Sequence, residues 1–212
     1  MKNRPELIVA LDVDYSKVEE IVESLGEEQI WYKVGYELFV QTGPDVVRFL
    51  KRMGKKVFLD LKFFDIPNTM ARAAIRCCEL GVDMFNLHLR AGEKALEWVS
   101  RSVLEWQGKN KTRPLIVGVT YLTSEMANTR DILSLVDLAR SYGLDGVVCS
   151  VWEVKAIKDR AGEDFLTVCP GIRKEGDSKD DQVRVATPQI AKGLGADYIV
   201  MGRSLLRDII GD

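Results

Sequence analysis

The sequence predicts an α/β fold of the (β/α)8 TIM-barrel class, and two observations carry that prediction. Eight short apolar runs alternate with helical patterns from end to end, and the polar residues gather at the carboxyl ends of those runs, where barrels build their active sites. The runs are 7–12, 30–35, 56–62, 84–89, 115–122, 146–150, 165–170 and 198–202. Each has strand length, and each is followed by a helix candidate. Ser16 can cap a helix over 17–25 that stops at Gly26, and a helix over 68–80 is closed by Gly81. Further on, helices over 93–106, 131–142 and 181–194 precede Gly108, Gly143 and Gly195. Trp98, Val99, Val103 and Leu104 lie at helical spacing and are expected to pack against the barrel wall. A doubly wound open sheet would show the same alternation, so the barrel rests on the strand count and on the polar strand ends. No low-complexity linker interrupts the series, the units show no obvious sequence repetition, and residues 1–212 are expected to form one domain.

Composition narrows the function classes. The chain has 212 residues, 46% hydrophobic and 29% charged, with 30 basic residues against 32 acidic, enough apolar material for a continuous core. No apolar stretch approaches the roughly 20 residues a membrane-spanning helix needs. Residues 1–5 lead directly into an apolar run ending in Asp12 and Asp14, without a long apolar h-region, which points to a cytoplasmic protein. A net charge of −2 with no basic block lacks the electrostatic footprint of a nucleic-acid binder and favours small-molecule partners. Cys77, Cys78, Cys149 and Cys169 show no Cys-x-x-Cys spacing and read as reduced core residues. His88 is the only histidine, so a multi-histidine metal site is excluded, and it reads as a partly buried structural residue. The chemistry must therefore rest on carboxylates and lysines.

The segment Asp60-Leu61-Lys62-Phe63-Phe64-Asp65-Ile66-Pro67-Asn68-Thr69 is the most informative. Strand side chains alternate faces, so Asp60 and Lys62 point the same way and place a carboxylate beside an ammonium at a strand end. With Asp65 following in the loop, Lys62 is expected to lie between two carboxylates, a setting suited to proton donation and unsuited to a Schiff-base nucleophile, which must be neutral. The alternative is an ordinary ion pair on an exposed loop. Elsewhere, Cys169-Pro170-Gly171-Ile172-Arg173 after the seventh strand and Gly202-Arg203-Ser204 at the start of the last helix supply a glycine loop, a helix amino terminus and guanidinium forks. Many barrels bind a phosphate with those parts. Their alternative is a turn glycine with surface arginines.

Taken together, Asp60 to Thr69, Leu11-Asp12, Lys33-Val34-Gly35, Pro170-Gly171-Ile172-Arg173, Asp181-Gln182 and Gly202-Arg203-Ser204 resemble the orotidine 5′-phosphate decarboxylase family over nearly the whole chain. The resemblance implies conversion of orotidine 5′-monophosphate to uridine 5′-monophosphate and carbon dioxide, the last step of de novo pyrimidine synthesis, with no cofactor and no metal. It implies that Lys62 protonates C6 of the pyrimidine and that Asp60 lies near the substrate carboxylate. Asp65 and Thr69 would reach the partner's site in a homodimer. Asp12 and Lys33 match ribose-contacting positions, and Thr123 a position near the base. Pro170 falls in the phosphate-loop motif, and Arg173, Gln182, Gly202 and Arg203 match phosphate-side contacts. The chain departs from the family in being short and in a compact, charged loop over 174–180. Two other readings compete. Sister enzymes on this barrel, hexulose-phosphate synthase and 3-keto-gulonate-phosphate decarboxylase, share Asp-x-Lys-x-x-Asp but use Mg²⁺ with an acidic residue where Lys33 stands, and lack the Ile-Pro-Asn-Thr continuation. A barrel that only binds a nucleotide would be expected to lose members of the charged set, yet Asp60, Lys62 and Asp65 are all present.

Overall fold

A computed structural model describes residues 5–110, 112–122, 125, 127–174 and 186–211. Eight parallel strands close into a barrel in chain order: β1 (Glu6–Ala10), β2 (Trp31–Val34), β3 (Lys56–Phe63), β4 (Met84–His88), β5 (Leu115–Val119), β6 (Gly146–Val148), β7 (Leu166–Cys169) and β8 (Tyr198–Met201). Closure comes from β1 against β8, in register from Glu6 opposite Tyr198 to Val9 opposite Met201. Outside run α1 (Val18–Leu25), α2 (Tyr36–Thr42), α3 (Asp45–Arg52), α4 (Pro67–Leu80), α5 (Glu93–Asn110), α6 (Thr129–Ser141), α7 (Val154–Ala161), α8 (Pro188–Gly193) and α9 (Arg203–Ile210). None of the described helices is long and apolar enough to cross a membrane.

The alternation of side chains along each strand builds two apolar layers. Ile8, Phe58, Met84, Val117 and Val168 fill the barrel interior. Val9, Val34, Val57, Leu59 and Phe85 face outward under the helices. All four cysteines are buried and unbridged, as their spacing predicts.

A device not visible as overall repetition ties the strands at the barrel's amino-terminal end. Gly81-Val82-Asp83, Gly143-Leu144-Asp145 and Gly195-Ala196-Asp197 each precede an even-numbered strand, and each glycine has a positive φ that closes the helix before it. The three carboxylates accept the backbone N–H groups of Val57, Ile116 and Thr167 on the preceding strand at 2.8, 2.7 and 2.8 Å. Each also holds a cation: Lys51 at 2.6 Å, Arg113 at 2.6 Å and Lys158 at 2.7 Å. Strand pairs β3/β4, β5/β6 and β7/β8 are thus fastened before they reach the active end.

Several sequence expectations are corrected at element ends. Ser16 does not cap a helix; the Asp14 carboxylate accepts the Ser16 N–H at 2.9 Å around a short 3-10 turn, and α1 begins at Val18. The helix expected over 181–194 begins only at Pro188, because Thr187 supplies the cap and Ala186 is held in a bridge to Ile172; residues 181–185 lie outside the described residues. α5 runs through Gly108 to Asn110. Val99 and Val103 are buried as expected, whereas Trp98 and Leu104 are 41% and 55% exposed. At about 100° per residue the two valines share a face, and Trp98 and Leu104 fall roughly 100° beyond it on opposite flanks.

One glycine is required by packing. A Cβ on Gly146 would lie 2.2 Å from the Leu166 carbonyl oxygen and 2.6 Å from its Cβ, so β7 would have to move. Gly146→Ala is expected to cost roughly 3 kcal/mol and lower the melting temperature by about 6–12 °C, and a shift below about 2 °C would contradict the close approach.

Candidate active site

The carboxyl ends of the strands surround a cavity of about 230 Å³. On one wall four side chains form an alternating chain of charge. The Asp12 carboxylate accepts from Lys33 Nζ at 2.9 Å; Lys33 lies 3.6 Å from Asp60 Oδ2, and Asp60 Oδ1 accepts from Lys62 Nζ at 2.6 Å. Three strands supply this chain: Asp12 follows β1, Lys33 is on β2, and Asp60 and Lys62 are on β3. Gly35 makes room for it, since a Cβ there would stand 3.0 Å from Lys33 Nζ and 3.3 Å from Asp12 Oδ1.

Asp60 and Lys62 share a face through a distortion of β3. Its register against β4 shifts between Leu59 opposite Phe85 and Phe63 opposite Leu87, so extra β3 residues bulge at the cavity mouth. Lys62 adopts φ 43°, the one positive φ outside glycine among the described residues. A non-glycine residue held there costs of order 1–3 kcal/mol, and such strain is concentrated at functional sites.

The electrostatics follow from the pairing. Burial pushes the Asp60 carboxyl up, but Lys33 and Lys62, with the hydrogen bonds from Lys62 and Asn86, outweigh it and hold it below the usual carboxylate value. Burial pushes Lys33 down, and the charges of Asp12 and Asp60 outweigh that and raise it. A carboxylate depressed in the folded state contributes stability that is present above its unfolded pKa of about 3.9 and lost as pH falls through the folded value. Between about pH 4 and pH 2, urea midpoints should therefore fall more steeply for the wild type than for Asp60→Asn. Equal slopes would show that Asp60 is not depressed.

The wall built by β7, β8 and α9, which adjoins Asp12, carries features suited to an anion. Gly171 has φ 78° and turns the chain after β7. Beyond it, Arg173 N–H donates to Ala186 O at 3.0 Å, and Ala186 N–H donates to Gly171 O at 3.2 Å. Arg173 is thereby held buried at the cavity, beside Pro170. Lys174 N–H donates to Ser204 Oγ at 3.0 Å, linking this loop to the first turn of α9. Gly202 precedes that helix, and Arg203 is its first residue. The first N–H groups of a helix have no partner within it, so this end favours an anion.

Eight of the twelve residues singled out in the sequence line the cavity: Asp12, Lys33, Asp60, Lys62, Pro170, Arg173, Gly202 and Arg203. Two are not brought into this chain's cavity. Asp65 is exposed, its Oδ1 accepting the adjacent Ile66 N–H at 2.6 Å, and Thr69 is exposed in the first turn of α4. The expectation that Lys62 lies between two carboxylates is corrected: it pairs with Asp60, and Lys33 takes the position between two acids because β2 sits between β1 and β3. Thr123 and Gln182 lie outside the described residues. His88 is half-buried, with its ring 5.5 Å from that of Phe64, and burial, then Arg90 and Lys62, lowers its pKa. Sequence reasoning missed Asn86, fully buried on β4 and hydrogen-bonded to Asp60 at 2.7 Å. The available signal was one amide inside an otherwise apolar strand.

A model of the orotidine 5′-phosphate decarboxylase / HUMPS family matches residues 5–208. The chain belongs to this family. It is similar to a protein of Legionella pneumophila (strain Lens) named orotidine 5′-phosphate decarboxylase, 48% identical over 213 residues that cover 95% of this chain and 92% of that one. A Bacillus cytotoxicus protein of the same name is 41% identical over 214 residues, covering 95% and 90%. Among solved structures, the orotidine 5′-phosphate decarboxylase of Lactobacillus acidophilus superposes with a TM-score of 0.80 at 36% identity, covering 94% of this chain and 90% of that one. An uncharacterized conserved protein of Geobacillus kaustophilus gives 0.82 at 36% identity, covering 95% and 92%. In this chain the alternating charges and the Arg173–Arg203 wall line one cavity.

Proposed function

We infer that this protein converts orotidine 5′-monophosphate to uridine 5′-monophosphate and carbon dioxide. The observation that carries the reading is the Asp12–Lys33–Asp60–Lys62 chain, which ends with an ammonium on the cavity. As the C6–carboxylate bond breaks, its electron pair stays on C6 and carbon dioxide departs. Lys62 then gives a proton to C6 and is reprotonated from water, and its positive charge stabilises the developing carbanion before transfer. Asp60 orients Lys62 through their 2.6 Å bond and faces the substrate carboxylate. Asp12 and Lys33 hold ribose hydroxyls, and Thr123 is assigned to the base. Pro170, Arg173, Gln182, Gly202 and Arg203 take the phosphate side. Binding energy from that remote group supports the chemical step.

The protein acts as a cytoplasmic homodimer on this small molecule, without nucleic acid, membrane, metal or cofactor. Asp65 and Thr69 serve the partner's cavity, consistent with their outward placement here. Phe64 and Ile66, which flank Asp65, are 65% and 66% exposed, apolar surface that a second copy would cover.

The Mg²⁺-dependent sister reactions fit the donor set poorly. Both carboxylates of the charge chain face the Lys33 ammonium, which would repel a divalent cation. Consumption of orotidine 5′-monophosphate, followed by absorbance in EDTA, is expected to proceed at the rate seen without chelator. A strict Mg²⁺ requirement, or turnover of sugar phosphates alone, would overturn the reading.

A further inference from the structure

The Leu61–Lys62 peptide unit is gripped at both ends by side chains, one from α2 and one from β4. Its carbonyl, on Leu61, accepts from Tyr36 Oη at 2.5 Å, and its N–H, on Lys62, donates to Asn86 Oδ1 at 2.7 Å. Tyr36 is the first residue of α2, directly after β2, and Asn86 stands mid-way along β4, so β3 is held from both flanks. Asn86 is the residue of β4 between the two registered pairs, where the bulge interrupts the ladder. Its side chain supplies the acceptor that a regular ladder would have provided. The remaining amide group orients Asn86 without ambiguity: Nδ2 donates to Asp60 Oδ1 at 2.7 Å, so Oδ1 must face the Lys62 N–H. Lys62 Nζ in turn lies 5.7 Å from the centre of the Tyr36 ring.

We propose that Asn86 and Tyr36 are positioning residues that clamp the Leu61–Lys62 peptide and so hold Lys62, against its positive φ, where its ammonium meets the reacting carbon. The proposal rests on the decarboxylase reading. Neither residue is needed to bind the nucleotide, because the anion-binding wall is formed by β7, β8 and α9. Loss of the clamp should let the bulge relax and move the ammonium, and a displacement of about 1 Å from reacting geometry can cost about 10²-fold. The clamp also predicts coupling, since two side chains that act through one peptide unit should not give independent effects.

The test compares wild type, Asn86→Ala, Tyr36→Phe and the double variant in steady-state decarboxylation, in binding of uridine 5′-monophosphate by calorimetry, and in thermal melting. Asn86→Ala is expected to lower kcat about 10²-fold and Tyr36→Phe about 10-fold, with nucleotide Kd within roughly 3-fold of wild type. The double variant should lose less than the product of the two. Tyr36→Phe removes one hydroxyl from a half-exposed side chain, so it keeps the test decisive if Asn86→Ala does not fold. A folded Asn86→Ala, or in its place Tyr36→Phe, with unchanged kcat while the wild type turns over would overturn the clamp and leave the decarboxylase reading standing. Parallel loss of kcat and nucleotide affinity, or fully independent effects in the double variant, would also overturn it. A wild type that does not consume orotidine 5′-monophosphate would overturn both.

Discussion

Lys62→Ala is expected to lower kcat for orotidine 5′-monophosphate by at least ~10⁴-fold, the combined effect of losing a general acid and a fixed positive charge at the developing carbanion. The barrel should survive the change. Asp60 keeps its hydrogen bond from Asn86 at 2.7 Å and its ion pair with Lys33 at 3.6 Å, so the carboxylate is not left without compensation. The Lys62 side chain belongs to the cavity and not to either apolar layer, so no core volume is lost. Alanine also retains the backbone N–H that Asn86 accepts. Binding of uridine 5′-monophosphate, measured by calorimetry, should persist through the wall built by β7, β8 and α9. A variant that turned over within about 10-fold of wild type would remove Lys62 from the proton-transfer role.

Asp60→Asn is expected to act differently, lowering kcat by about 10³-fold and KM with it. Asp60 is the centre of the charge chain: it faces Lys62 at 2.6 Å, Lys33 at 3.6 Å and Asn86 at 2.7 Å, with 13% of its side chain exposed. In the wild type Asp12, Lys33, Asp60 and Lys62 sum to zero formal charge, and the amide leaves them with a net positive charge. That surplus attracts the substrate carboxylate in the ground state. The substitution also weakens the hold on Lys62, since a neutral amide oxygen accepts from an ammonium less strongly than a carboxylate does, and it removes the like charge that the departing carboxylate escapes as it becomes neutral carbon dioxide. A joint fall in kcat and KM is the kinetic pattern of removed ground-state strain, and steady-state measurement of both constants checks it. A raised KM with unchanged kcat would assign Asp60 to uniform binding instead.

The contrast between these two variants depends on pairings that the linear pattern only half revealed. The Asp-x-Lys spacing predicts Asp60 and Lys62 on one face from strand alternation, and in the structure the β3 bulge brings them together. The same spacing also suggested Asp65 as the second acid beside Lys62, yet Asp65 turns outward and bonds to its own neighbour. Lys33 is separated from Asp60 by a whole helical excursion, and only strand order brings the two together. Asn86 was passed over because one polar residue in an apolar strand has no partner until the strand beside it is known. The 3-10 turn that Asp14 caps ahead of α1, and the late start of α8, escape the linear pattern for a related reason: local turn chemistry competes with helix periodicity at element ends.

Periodicity, punctuation and the position of charges at strand ends were sufficient by themselves to determine an eight-unit α/β barrel, its active end and the identities of most residues at its mouth. Those signals are local, set by backbone geometry that repeats every few residues. The tertiary structure decided which charges pair, which way Asp65 faces, and how β3 bulges to place Lys62 at φ 43° between the holds of Tyr36 and Asn86. Such facts depend on the register of neighbouring strands and on closure of the sheet, and contacts between residues distant in the chain have no expression in the local pattern of either.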